Sequence, residues 1–191
     1  MAWYKIAEDI FDSYTNGDSL DSKTDWDAQT GDFTCTGTQV YPSSAVSSRA
    51  ILNHAATLGD NQYAKADITV VSGAPNGVAV RSSDAAQTLY FARVSTQEAY
   101  VGKYVNGTYT QLMQWSNTFS GTVNIELRVE GDTLSCYIDG SLATSMSSGG
   151  VIDDTDISSG KAGLSGYTTG SSKLVDNFEC GDDVPQGEMD G

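Results

Sequence analysis

Hydrophobic and polar positions along this chain alternate in short runs, with no sustained apolar spacing of three and four residues. The clearest run is 123–130, where Val123, Ile125, Leu127 and Val129 alternate with Asn124, Glu126, Arg128 and Glu130. Period-two alternation of this kind predicts a strand with one buried and one wet face. Gly131-Asp132 turns the chain into a second strand, 133–138, with Leu134, Cys136 and Ile138 pointing inward. Asp139-Gly140 is a hairpin signal leading into 141–146, and Asn106-Gly107 is another, because both residue types accept the positive φ of a tight hairpin turn. The latter joins 98–105 to 108–115. Further strands are predicted at 62–71, 78–81, 88–94, 161–166 and 172–180. The Ser-, Gly- and Asp-rich stretch 147–160 is expected to be a loop. Strands at roughly 8–12-residue spacing with turn signals between them predict an all-β, antiparallel sandwich or jelly roll. There is no internal repeat and no linker, so residues 1–181 are read as one domain and 182–191 as an acidic tail.

Composition narrows the choice of partner. The 191 residues carry 25 acidic and 10 basic side chains, a net charge of -15. A surface this negative repels phosphate backbones and anionic lipids, which argues against nucleic acid and membrane partners. No apolar stretch approaches the ~20 residues needed to span a bilayer. The first residues lack a basic region followed by an apolar run, so no signal peptide is expected. Three cysteines (Cys35, Cys136, Cys180) at wide spacing form no disulfide framework and no zinc site. They are read as thiols, with a Cys136–Cys180 bridge as the one pairing considered. Asn106-Gly107-Thr108 is a glycosylation sequon better explained as a hairpin turn.

Several segments, taken in order, carry a resemblance. They are Asp9-Ile10-Phe11, Leu20 and Trp26 near the start, and then Gly77-Val78-Ala79-Val80-Arg81 with Tyr90-Phe91-Ala92-Arg93. The run Ile125 to Leu134 continues into Tyr137-Ile138-Asp139-Gly140. Gly160-Lys161-Ala162-Gly163-Leu164 and Val175-Asp176-Asn177-Phe178-Glu179 close the series. Over roughly residues 6–180 the chain resembles the concanavalin A-like lectin/glucanase superfamily, in particular its laminin G-like jelly-roll modules of microbes and phages. The resemblance implies a single concanavalin A-like jelly roll. It leaves function open, since the fold hosts lectins, hydrolases, adhesins and virion proteins.

Catalytic chemistry finds few residues to use. The Glu-x-Asp-x-x-Glu strand pattern of the superfamily's glucanases is absent. Glu126 and Glu130 share a strand face, but that face reads as plain solvent-facing surface. His54 is the single imidazole and no Gly-x-Ser-x-Gly elbow surrounds a serine, so His54 is read as structural or surface. The chain is therefore expected not to be an enzyme.

Binding chemistry is better represented. Sugars stack on aromatic faces while planar polar groups take their hydroxyls. Tyr100 and Tyr104 are expected on one face of their strand, and Tyr109 and Trp115 on one face of theirs. Arg81 and Arg93 are expected to line the same sheet, and the six form a candidate glycan or partner surface. The resemblance also implies a structural calcium ion. Asp9 or Asp12 of the first strand would meet Asp176 of the last, with Asp153-Asp154-Thr155-Asp156 as the other candidate. The leading expectation is a phage virion decoration protein, made in the cytoplasm and displayed on the virion surface. Its partners would be a capsid or tail lattice, a second copy of itself, or a host glycan. The alternatives are an extracellular carbohydrate-binding module or adhesin, and then a divergent glycoside hydrolase.

Overall fold

A computed structural model describes residues 2–43, 49–83, 87–167 and 170–183. Two antiparallel sheets carry nearly all of the regular structure. The first contains β1 (Tyr4–Asp9), β3 (Phe33–Cys35), β4 (Val40–Pro42), β6 (Gln62–Thr69), β11 (Thr122–Glu130), β12 (Thr133–Ile138), β13 (Ser141–Leu142), β14 (Val151–Asp153) and β16 (Val175–Asp182). Its order is β13-β12-β11-β6-β16-β4-β3, with β1 on β16 and β14 on β12. The second contains β2 (Trp26–Thr30), β5 (Arg49–His54), β7 (Asn76–Ser82), β8 (Leu89–Val94), β9 (Glu98–Val105), β10 (Thr108–Ser116) and β15 (Lys161–Tyr167). Its order is β10-β9-β8-β7-β15-β5-β2. No helix among the described residues is long and apolar enough to cross a membrane.

Alternation builds the core between the sheets. Ala64, Ala66 and Ile68 of β6, with Ile125, Leu127 and Val129 of β11, meet Val78, Val80, Ala92 and Val101 of the second sheet, all fully buried. The two predicted hairpins form as expected, with positive φ at Asn106 (49°) and Gly107 (79°), and at Asp139 (49°) and Gly140 (74°). First and last strands meet through β1 and β16, which pair Glu8 with Glu179 and Asp9 with Phe178.

Some expectations are corrected. The stretch 147–160 is not all loop, because Val151–Asp153 adds an edge strand to β12. The strand expected over 141–146 is only Ser141–Leu142. The last strand runs to Asp182, whose buried carboxylate accepts from Gly59 N at 2.8 Å, while Asp183 accepts from Asn61 Nδ2 at 2.8 Å. Both residues thus belong to the folded body; the rest of the acidic tail, 184–191, lies outside the described residues. Glu126 is not on a plain wet face. It is 7% exposed and ion-paired to Arg128, whose guanidinium lies 4.3 Å from the Tyr137 ring centroid. Cys136 and Cys180 form no bridge, and all three thiols are free and buried.

One end of the sandwich is tied by cations. Lys103 Nζ bonds the carboxylates of Asp154 and Asp156, the latter at 2.5 Å, and Tyr90 donates its hydroxyl to Asp154 at 2.6 Å. Burial works to raise the Asp154 carboxyl, but the Lys103 and Tyr90 bonds prevail and hold it low. Removing one partner leaves buried charge uncompensated, so Lys103→Met is expected to destabilise the fold by about 3 kcal/mol in denaturant titration. A loss under about 0.5 kcal/mol, the level of a surface pair, would contradict this account.

Burial pushes the Cys35 thiol up to about 11 and those of Cys136 and Cys180 up to about 12. The folded state therefore keeps these protons beyond the ordinary thiol value of 9.0. The stability involved is whole below that value and is lost as the pH climbs through 9 towards 12. The melting temperature should fall above pH 9.0. Iodoacetamide at pH 8 should label the thiols only after unfolding, and labelling of the native protein would contradict their burial.

Candidate functional site

The outer face of the seven-stranded sheet carries rows of register-matched side chains. One row runs Gln114–Tyr100–Arg93–Gly77–Ser165 across β10, β9, β8, β7 and β15. The next runs Gln111–Gly102–Phe91–Ala79–Gly163, and the third Tyr109–Tyr104–Leu89. No second sheet among the described residues covers this face, yet Phe91 is fully buried. Its cover comes from its neighbours. Tyr104 and Tyr109 stack with Phe91 at centroid distances of 5.3 and 6.2 Å, Tyr100 meets it edge-on at 5.9 Å, and the Arg93 guanidinium lies 4.4 Å from its centroid. Such ring pairs contribute about 0.5–1.5 kcal/mol each beyond area burial.

Gly102 makes this packing possible. A Cβ built there would lie 2.7 Å from Phe91 Cζ and 3.1 Å from Tyr109 Cε2. Any side chain would displace the rings, so the absence of one lets Tyr109 lean across β9 onto Phe91.

Above this floor lies a cleft of about 440 Å³, walled by Tyr100, Tyr104, Tyr109 and Tyr167 with Arg93, Gln97, Glu98 and Gln111. Its volume falls within the range of small-ligand sites. Along β10 a chain of polar groups is oriented head to tail. Tyr109 donates its hydroxyl to Gln111 Oε1 at 3.2 Å, Gln111 Nε2 donates to Gln114 Oε1 at 3.0 Å, and Gln114 Nε2 donates to Glu98 Oε2 at 2.6 Å. Burial, helped by Tyr100 and Tyr104, pushes the Tyr109 hydroxyl up to about 12. Burial raises the Tyr100 hydroxyl too, against the opposing pull of Arg93.

Of the six surface residues expected from sequence, the cleft gathers Arg93, Tyr100, Tyr104 and Tyr109. Trp115 and Arg81 lie elsewhere. Between Gln111 and Met113 the β10–β9 register shifts by one residue, so Gln114 faces Tyr100 and Trp115 faces Ala99. A bulge reverses the alternation beyond it. Trp115 is thereby turned to the core side, edge-on to Phe119 at 5.3 Å. Arg81 sits at φ 49°, a left-handed position uncommon for a side-chain-bearing residue. Its guanidinium is taken by the carbonyls of Asp60, Ile157 and Gly131 at 3.0, 2.7 and 2.6 Å, where it ties loops together.

The candidate calcium ligands do not fit a metal site. Asp9 accepts from Phe11 N, Tyr14 Oη and Trp26 Nε1 at 2.7–2.8 Å, which occupies its carboxylate with structural donors. Asp176 accepts from Asn177 N and Gln39 Nε2, and burial, with Asp12 and Asp67 nearby, raises its carboxyl. Asp12 is exposed. In the other candidate loop, Asp154 and Asp156 already hold the Lys103 ammonium. Among the described residues no group of three or more His, Cys, Asp or Glu is placed to hold a metal ion. His54 is structural. Its ring packs between Trp26 and Phe178 at 5.1 and 5.7 Å, its Nδ1 accepts from Ala56 N, and burial lowers its pKa.

Sequence reasoning did not single out Phe91, Gly102, Gln111, Gln114, Glu98 or Tyr167 for this surface. Phe91 and Arg93 do share a strand parity, and Gly102 stands between Tyr100 and Tyr104; those were the available signals.

No protein-family model matches the chain, and no curated protein matches it. Solved structures do. The carbohydrate-binding module CBM66 from Bacillus subtilis aligns at 19% identity and a TM-score of 0.64, covering 82% of this chain and 93% of that one. A Bacillus licheniformis β-glucanase aligns at 12% identity and 0.59, covering 93% and 98%. The exoplasmic/lumenal domain of VIP36, bound to Ca2+ and Man3GlcNAc, aligns at 12% identity and 0.56, covering 86% and 88%. At these identities the likeness is one of fold, and by fold this chain is a concanavalin A-like jelly roll.

Proposed function

We propose that this protein is a carbohydrate-binding module that takes a glycan into the cleft on its seven-stranded sheet. The observation that carries the reading is Tyr109. The residue is 45% exposed, its ring is backed by the buried Phe91, and its hydroxyl lies at the head of the Gln111–Gln114–Glu98 chain. A preset aromatic face beside planar amide and carboxylate groups is the combination that the two faces of a pyranose ring require. Structural neighbours named as a carbohydrate-binding module and as a Man3GlcNAc-bound domain support the same class of ligand.

Binding without hydrolysis is the reading we favour. Glycoside hydrolysis uses two carboxyl groups roughly 5–10 Å apart across the scissile bond. Glu98 is the single carboxylate among the described residues lining the cleft, and Gln114 engages it. Display on a virion draws on no contact seen here, whereas glycan binding has named residues. A module of this kind would act outside the cell, on a cell surface or a particle.

The test is a glycan array followed by titration of the strongest ligand. Tyr109→Ala removes a half-exposed ring and should weaken binding about 5-fold or more, from a stacking loss near 1 kcal/mol. Trp115→Ala, on the opposite side of the sheet, should leave affinity unchanged in any variant that folds. Equal affinity of Tyr109→Ala and the unaltered protein would overturn the cleft as the site. Release of reducing sugar from the bound glycan would overturn the non-catalytic reading.

A further inference from the structure

The Arg93 guanidinium stands out among the buried cations. It is 1% exposed. Lys103 has two carboxylates and Arg81 has three carbonyls, and the half-buried Arg128 has Glu126. Arg93 has no carboxylate within ion-pair distance among the described residues. Its side chain crosses Gly77 to reach Ser165 Oγ, which accepts from Nε at 3.0 Å and from Nη2 at 2.8 Å. Its other neighbours are the Phe91 ring face and the Tyr100 hydroxyl. A guanidinium carries five N–H donors; Ser165 takes two and the Tyr100 hydroxyl one, so two are left. A charge held out of water costs free energy unless an opposite charge meets it.

The cleft opens onto this residue. The other charged side chain lining it, Glu98, is turned to Gln114 Nε2 on the β10 side. Four tyrosines complete the wall, and burial raises the hydroxyls of Tyr100 and Tyr109.

We infer that Arg93 is the subsite for the acid group of an anionic sugar, so that the glycan bound in this cleft carries a uronate-type carboxylate. This rests on the cleft being a glycan site and names the class of sugar it selects. The ring of the acidic residue would lie against Tyr109 while its carboxylate reaches the remaining Arg93 donors, a pairing whose planar geometry favours carboxylate over a hydroxyl. The net charge of -15 opposes the approach of any polyanion, so selectivity would come from the short-range contact with Arg93 and not from steering.

The experiment compares acidic and neutral glycans on the same protein. An array holding neutral, uronate, sialylated and sulfated glycans is probed first. Calorimetry then measures oligogalacturonate against its methyl ester, together with the best acidic binder from the array and its ester or desulfated form. Binding confined to carboxylated glycans, with the ester at least about 10-fold weaker, is the expected result. Arg93→Lys keeps the charge and, in protein shown to be folded by circular dichroism and melting, should lose most of this acid-over-ester preference because an ammonium cannot form the planar fork. Preference for sulfated over carboxylated glycans would overturn the carboxylate assignment. Equal binding of acid and ester, or of neutral glycans, would overturn the role of Arg93 and leave the glycan site standing. No binding to any glycan would overturn both.

Discussion

A buried ring on the outside of a sheet has to be covered by its own strands. Phe91 occupies that position, on a face that no second sheet among the described residues reaches, and much of this surface is arranged around it. Keeping such a ring from water is worth roughly 1.5–3 kcal/mol. Here the shielding comes from Tyr100, Tyr104, Tyr109 and the Arg93 guanidinium. These side chains need room to converge, and Gly102 supplies it by having no Cβ to meet the Phe91 and Tyr109 rings. The same convergence leaves Tyr109 half-exposed with its back supported, which is a rigid face offered to solvent. Packing and the proposed recognition thus share one set of atoms.

Electrostatics divides the molecule differently. At one end, Lys103 and Arg81 are consumed by carboxylates and carbonyls from loops of the opposite sheet, and their role is to fasten. On the other large face, Arg128 is consumed by Glu126. In the cleft a second buried guanidinium, Arg93, meets a serine hydroxyl and aromatic groups, where Arg81 has three carbonyls. In a chain with 25 acidic and 10 basic residues, a buried guanidinium with neither a carboxylate nor a full set of carbonyls is a conspicuous arrangement.

Much of the fold was legible because alternation and turn chemistry are local. The run 123–130 and the two hairpin dipeptides needed no tertiary information, and β9 matches its predicted bounds of 98–105. The short strands β3, β4 and β14 were not legible, since three residues carry no usable period. Tyr100 and Tyr104 followed from strand parity, and Tyr109 and Arg93 from their place on neighbouring strands. Trp115 did not, because parity counts through a strand as though it were regular, and the bulge after Gln111 reverses the count. Arg81 failed for a related reason, since its left-handed φ breaks the alternation within β7. Glu126 looked solvent-facing because the pattern cannot show that Arg128 folds over it. Asp9 of the first strand and the carboxylates of the 153–156 loop looked like cation ligands until Tyr14 and Trp26, and Lys103, proved to be their partners.

The central claim is that the Phe91-backed cleft receives a glycan. Backbone amide chemical-shift mapping on the isotope-labelled protein tests it most directly, using the strongest glycan ligand identified. The account predicts that the largest shifts fall on Arg93, Tyr100, Gly102, Tyr109 and Gln111, with the amides of β11 and β12 unmoved. Shifts concentrated on the nine-stranded sheet, or on the loops that Lys103 and Arg81 fasten, would contradict it.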